Sequence, residues 1–229
     1  MKNLSLSTLQ TLAAAFAAAF IALPSFGQEK AESPVSAVTA PVSAPAAGAP
    51  SAADMQKMMA QMMELAKTNE NHKLLASLDG NWDYTTKMWM DPNAKPQESK
   101  GTAVRKSILD GRYVAMDVTG KMQMPGPDGK TMDMTFKGHS MEGYDNVKKK
   151  FIGAWMDNMG TGIVMSEGDY DAATKTFTYT GEMEMMPGMK QKFREVLKLT
   201  DKSHMSFEWY EDRGGKEVKT MEINYTRKK

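Results

Sequence analysis

The chain has 229 residues, 25% of them charged and 41% apolar, the proportions of an ordinary globular protein. Its 29 Lys and Arg against 28 Asp and Glu leave no basic surplus to draw it to nucleic acid or an anionic membrane. The absence of cysteine excludes disulfides, thiolate metal sites, cysteine nucleophiles and a lipid-modified cysteine.

Residues 1–27 read as a secretory signal peptide. Lys2 supplies a short positive region, Leu12 to Leu23 is an uninterrupted apolar run, and Pro24 breaks it. Ser25-Phe26-Gly27 then places small residues at the −3 and −1 positions of a cleavage site after Gly27. The run falls short of the ~20 residues that span a bilayer. The expectation is therefore export to the periplasm or beyond, with no stable membrane insertion once the signal is removed.

Residues 28–53 read as a disordered Pro/Ala/Ser linker, with four prolines between Glu32 and Ala53 and no bulky side chain to bury. Residues 54–78 follow as a Met-rich helical segment. Ser51-Ala52-Ala53-Asp54 has the spacing of a capping box. Met55, Met58, Met59, Met62, Met63 and Ala66 then recur at helical spacing to form one apolar stripe. Such a stripe suits either a lid or a surface that docks a partner. A second short helix is expected over Asn71 to Leu78, turning Leu74, Leu75 and Leu78 toward a core.

From Gly80-Asn81-Trp82 onward the period changes to two, with Trp82, Tyr84, Met88 and Met90 on one face and Asp83, Thr85 and Lys87 on the other. Residues 79–229 divide into ten expected strands: 82–90, 100–109, 112–124, 131–144, 150–157, 162–170, 175–185, 189–200, 203–211 and 216–227. Asp110-Gly111 suits a two-residue hairpin, Pro187-Gly188 a type II turn and Gly214-Gly215 a Gly-rich hairpin. No connection is long enough for a crossover helix, so the strands should be sequential and antiparallel. The expected fold is all-β: a ten-stranded antiparallel barrel closed to protect its edges, with an amphipathic helix before it. An open sandwich is the alternative. Ten strands enclose more space than eight, so an internal cavity is plausible.

The layout resembles the calycin group of barrels, which includes the lipocalins. Those open on Gly-x-Trp and pack a basic residue of the last strand across that Trp; here Gly80-Asn81-Trp82 and Arg227 occupy the two places. The resemblance implies that Trp82 and Arg227 form a structural latch at one barrel end. The chain also resembles a bacterial family known as domain of unknown function 1579. The matching stretches are His72-Lys73-Leu74-Leu75, Leu109-Asp110-Gly111-Arg112-Tyr113, Gly143-Tyr144-Asp145-Asn146, Trp155 to Gly162, Glu167 to Asp171, and Met221 to Arg227. That resemblance implies a fold and brings no activity, cofactor or catalytic residue with it.

The compositional outlier is methionine, at 23 residues. Met88, Met90, Met116, Met122, Met124, Met132, Met134, Met183 and Met185 share strand faces with aromatic residues. Thioethers fill irregular cores well, and core filling is the plain interpretation. A sharper one makes these residues the lining of a pocket for a small hydrophobic ligand, toward the end away from Trp82. A second makes Met122, Met124, Met185, Met186 and Met189, beside two Met-Pro-Gly turns, a soft-metal or oxidant buffer. Neither motif contains the His or Cys that usually completes a copper site. His139 follows Gly138, where a bulge could turn it either way, and it joins the pocket candidates. A haem-binding relative in this barrel class uses one axial histidine, a role that would fall to His139. His72 reads as a packing or capping residue and His204 as solvent-facing.

No nucleophile elbow, H-E-x-x-H, phosphate loop or Cys/His ligand set occurs. Asp145, Asp157, Asp169 and Asp171 lie at strand ends where Asp commonly forms turns. The residues support binding rather than catalysis, with no catalytic residue and no cofactor implied. A structural or interaction module, its protein partner unspecified, is the remaining alternative.

Overall fold

The computed structural model describes residues 51–125 and 130–229. The signal peptide, the linker through residue 50 and the hairpin tip at 126–129 lie outside the described residues, as do the side chains of Met124 and Pro125. The described chain falls into two units, one holding the first helix and the other running from Thr68 to Lys229.

Helix α1 spans Ala52–Leu65 and buries none of its residues. Ser51 caps it by accepting from the Asp54 N–H at 3.1 Å. The reciprocal contact differs from the expected capping box: the Asp54 carboxylate accepts from the Ser51 hydroxyl at 2.7 Å. The five methionines of the stripe are all exposed.

Helix α2, Glu70–Ala76, belongs to the barrel unit. Asn69 caps it by accepting from the Asn71 N–H, while the His72 Nδ1 accepts from the Asn69 N–H at 3.1 Å. Burial holds the His72 imidazole below its usual range, so it stays neutral and can accept. Leu75 and Leu78 are buried, and Leu74 packs partly against the same core.

Ten strands follow: β1 Gly80–Met88, β2 Gln97–Ile108, β3 Tyr113–Pro125, β4 Thr131–Asp145, β5 Lys150–Asp157, β6 Val164–Asp171, β7 Thr176–Met186, β8 Met189–Leu199, β9 His204–Asp212 and β10 Glu217–Arg227. Each pairs antiparallel with its sequence neighbours, and β1 pairs with β10 to close the barrel. Closure leaves no open edge, which excludes the sandwich. The register is continuous except for bulges between Lys219 and Met221 and between Glu184 and Met186. The 109–112 connection is longer than the two-residue hairpin expected at Asp110-Gly111. Leu109, Asp110 and Gly111 all take positive φ, and the Arg112 N–H donates to the Leu109 carbonyl. Gly188, Gly214 and Gly215 adopt the positive φ that their turns demand.

Sequential antiparallel strands put alternate connections at opposite ends. At the end holding the start of β1 and the finish of β10, aromatic side chains and α2 pack into the core. Trp82 is 1% exposed, and its Nε1 donates to the Leu78 carbonyl at 3.1 Å. The Arg227 guanidinium lies 4.3 Å from the Trp82 ring centroid and donates to the carbonyls of Lys202, Ser77 and Asp79. A Cβ at Gly80 would lie 2.6 Å from Arg227 Nη1, so only glycine admits the guanidinium there. Phe151, Phe177 and Tyr170 fill the same end with edge-on and tilted ring contacts.

Candidate functional site

The other half of the barrel is hollow. A cavity of about 380 Å³ occupies it, within the size range of small-molecule sites. Its existence follows from side-chain phase. Strand β3 turns Met116, Val118, Gly120 and Met122 inward, and β7 turns Tyr179, Met183 and Met185 inward. Glycines on the same phase widen the lumen. Gly101 and Gly120 stand where the Tyr84 ring lies flat on the wall, and a Cβ on either would come within 2.5 Å of its hydroxyl oxygen.

Three layers run from mouth to floor. At the mouth are Met88, Trp89, Met90, Met122, Met183, Met185 and Met189, with Arg213, Glu211 and Lys121 among them. Arg213 pairs with Glu211 at 3.2 Å, and Glu211 also accepts from the Thr220 hydroxyl at 3.1 Å. The middle layer is aromatic and aliphatic, including Phe136, Trp155, Phe207, Trp209 and Ile223. Phe136 and Trp155 stack with centroids 6.2 Å apart, and the Trp155 indole is fixed by donating to Asp157 at 2.9 Å.

The floor is polar. Arg105 is only 3% exposed and forms a two-pronged ion pair with Glu142, Nη1–Oε1 2.9 Å and Nη2–Oε2 2.8 Å. The same Nη1 lies 3.7 Å from the Met116 sulfur. Glu195 faces this pair from β8, with Ser166 hydrogen-bonded to it. Burial, reinforced by the Glu142 charge, pushes the Glu195 carboxyl up to about 8, so it carries a proton at neutral pH. Tyr179 sits opposite; burial pushes its hydroxyl well above the usual tyrosine range and keeps it protonated. Arg105 and Glu142 therefore cancel, and the floor is electrically neutral while rich in O–H and N–H groups.

Of the pocket candidates, Met88, Met90, Met116, Met122, Met183 and Met185 line this cavity. Met132 and Met134 do not: Met132 is exposed at the start of β4, and the cavity wall on that strand is formed by Phe136, Ser140 and Glu142. His139 lies outside it as well. No bulge interrupts β4 at Gly138, so Gly138 and Ser140 point inward and His139 outward, where Nδ1 meets Asp117 at 2.8 Å. An axial role for His139 inside the barrel is thereby removed. The soft-metal candidates fall on separate walls. Met122 belongs to β3 and Met185, Met186 and Met189 to β7 and β8, with β4, β5 and β6 intervening. The bulge after Glu184 also throws Met186 outward. Among the described residues no cluster of His, Asp and Glu is arranged to hold a metal ion.

The aspartates at strand ends are mostly turn formers. Asp145 accepts from the Val147 and Lys148 N–H groups, and Asp171 from the Ala173 N–H and the Thr174 hydroxyl. These contacts hold both carboxyls below the usual range. Asp157 accepts from the Met159 N–H at 2.8 Å. Asp169 instead pairs with Lys150.

The family described as protein of unknown function (DUF1579) matches residues 67–227, which takes in α2 and all ten strands. No curated protein matches the chain.

Proposed function

Because the chain belongs to the DUF1579 family, whose description names no activity, we propose a function from the barrel itself: non-catalytic binding of a small hydrophobic ligand. The single observation that carries this reading is the 380 Å³ cavity, walled by flexible thioethers and aromatic rings and closed at one end by α2 and the Trp82–Arg227 contact. Methionine linings adapt to irregular apolar shapes at little cost. The binding reading is supported by the floor's state: the Glu142 carboxylate is held by Arg105, the second carboxyl, Glu195, keeps its proton, and none of the three histidines lines the cavity. The protein is also proposed to act outside the cytoplasm, on the strength of residues 1–27 alone; N-terminal sequencing of the mature protein should then begin at Gln28.

The test is a titration with N-phenyl-1-naphthylamine, an uncharged apolar dye that fluoresces on leaving water. The expected result is saturable binding to one site, lost when Val118→Trp fills the lumen and retained when Val104→Trp adds an indole to the outer wall. Equal binding by both variants would place the dye elsewhere and overturn the reading.

A further inference from the structure

The floor says more about the ligand than the walls do. Among the described residues, three of its polar atoms have no protein partner: Arg105 Nε, Ser140 Oγ and Tyr179 Oη. Their residues are 3%, 6% and 5% exposed, and all three line the cavity. A buried polar group without a partner is costly, and native structures rarely keep one without a use. The three are not interchangeable. Arg105 Nε–H can only donate, whereas the two hydroxyls can donate or accept.

Register brings Arg105 and Ser140 onto one wall, and Tyr179 faces them from β7 across the lumen. Arg105 is opposite Met116, and Met116 opposite Ser140, while Glu142 lies two residues further along the same face of β4. Tyr179 is the cross-strand partner of Glu195, and it lies within electrostatic range of both Arg105 and Glu142. The charges on this wall decide between ligand classes. The two forward nitrogens of Arg105 are committed to Glu142, so an incoming carboxylate would find that charge neutralised and a second carboxylate beside it. An incoming ammonium would meet the guanidinium and could not accept from its Nε–H. An uncharged oxygen suffers neither penalty and can accept from the Arg105 Nε–H or from either hydroxyl.

We infer that the cavity floor selects a neutral amphiphile: an apolar chain or ring system ending in an uncharged acceptor oxygen, such as a ketone, ester or alcohol, received by Arg105 Nε, Ser140 Oγ and Tyr179 Oη. This deepens the binding reading and rests on it.

The experiment displaces N-phenyl-1-naphthylamine from the full chain at pH 6.5, where Glu195 is protonated. The competitors are four probes of similar length: 2-undecanone, 1-chlorodecane, decanoate and decylammonium. The ketone should compete roughly tenfold more tightly than each of the others, one decade being the scale of one or two neutral hydrogen bonds. Tyr179→Phe and Ser140→Ala should each weaken the ketone several-fold and leave chlorodecane unchanged. Parity between ketone and chlorodecane, or a preference for either charged probe, overturns the inference while the cavity reading stands. Failure of the dye and of all four probes to bind overturns both.

Discussion

Arg105 and Glu142 show how a single ion pair can shape an interior. Replacing Arg105 alone would strand the Glu142 carboxylate inside the barrel, and Arg105→Met is expected to cost about 3–5 kcal/mol in a denaturant titration. The double variant Arg105→Met/Glu142→Leu should recover most of that loss, since the penalty comes from an unpaired charge rather than from the missing contact. Glu195 imposes a pH dependence of the opposite kind to a surface carboxylate. Its folded pKa is raised to about 8, above the ordinary glutamate value, so the folded state holds the extra proton. Stability from this group is complete below the unfolded pKa and falls as pH climbs toward 8, by a few kcal/mol in total. Glu195→Gln should flatten that fall, read as a smaller drop in Tm between pH 5 and pH 9. An equal drop in the variant would assign the slope to another group. These residues were legible in part from the sequence. Arg105 keeps the phase of Ala103, and Glu195 falls between Phe193 and Leu197, so charge on an inward phase was the available signal. Their mutual pairing depends on register across β3 and on closure of the ring, which alternation alone does not specify.

At the scale of the element, strands were more legible than the turns between them. Every expected strand is present with its ends displaced by a few residues, because inward burial repeats every second position and Gly, Asp and Pro mark the breaks. Turns depend on φ at single residues. Leu109, Asp110, Lys149 and Lys175 adopt positive φ without being glycine, and of the four only Asp110, beside Gly111, has a side chain that announces it. Lys175→Gly should relieve that conformation and stabilise the protein by about 0.5–1 kcal/mol, after allowing for the greater freedom of glycine in the unfolded chain. The β1–β10 seam behaves differently, since one side chain ties together three carbonyls and an indole. Arg227→Lys keeps the charge but loses the planar fork, and a loss of about 1–2 kcal/mol is expected in thermal or denaturant unfolding. A fully stable Arg227→Lys variant would show that the contact contributes little to closure.

The unit from Thr68 to Lys229 is a barrel filled at one end and hollow at the other, and this asymmetry was the least legible feature. Methionine-rich inward faces are compatible with a packed core or an open pocket. The difference lies in the glycines on the inward phase and in how far ten strands spread, both properties of the closed ring rather than of any segment. The hollow lumen is tested most directly by a crystal structure of the protein soaked with 1-bromooctane, with bromine located by its anomalous scattering. A peak is expected inside the lumen, between Met116 and the methionines of the mouth, and it should disappear in Val118→Trp. Bromine found only on the outer wall, or an interior closed by repacked side chains, would contradict it.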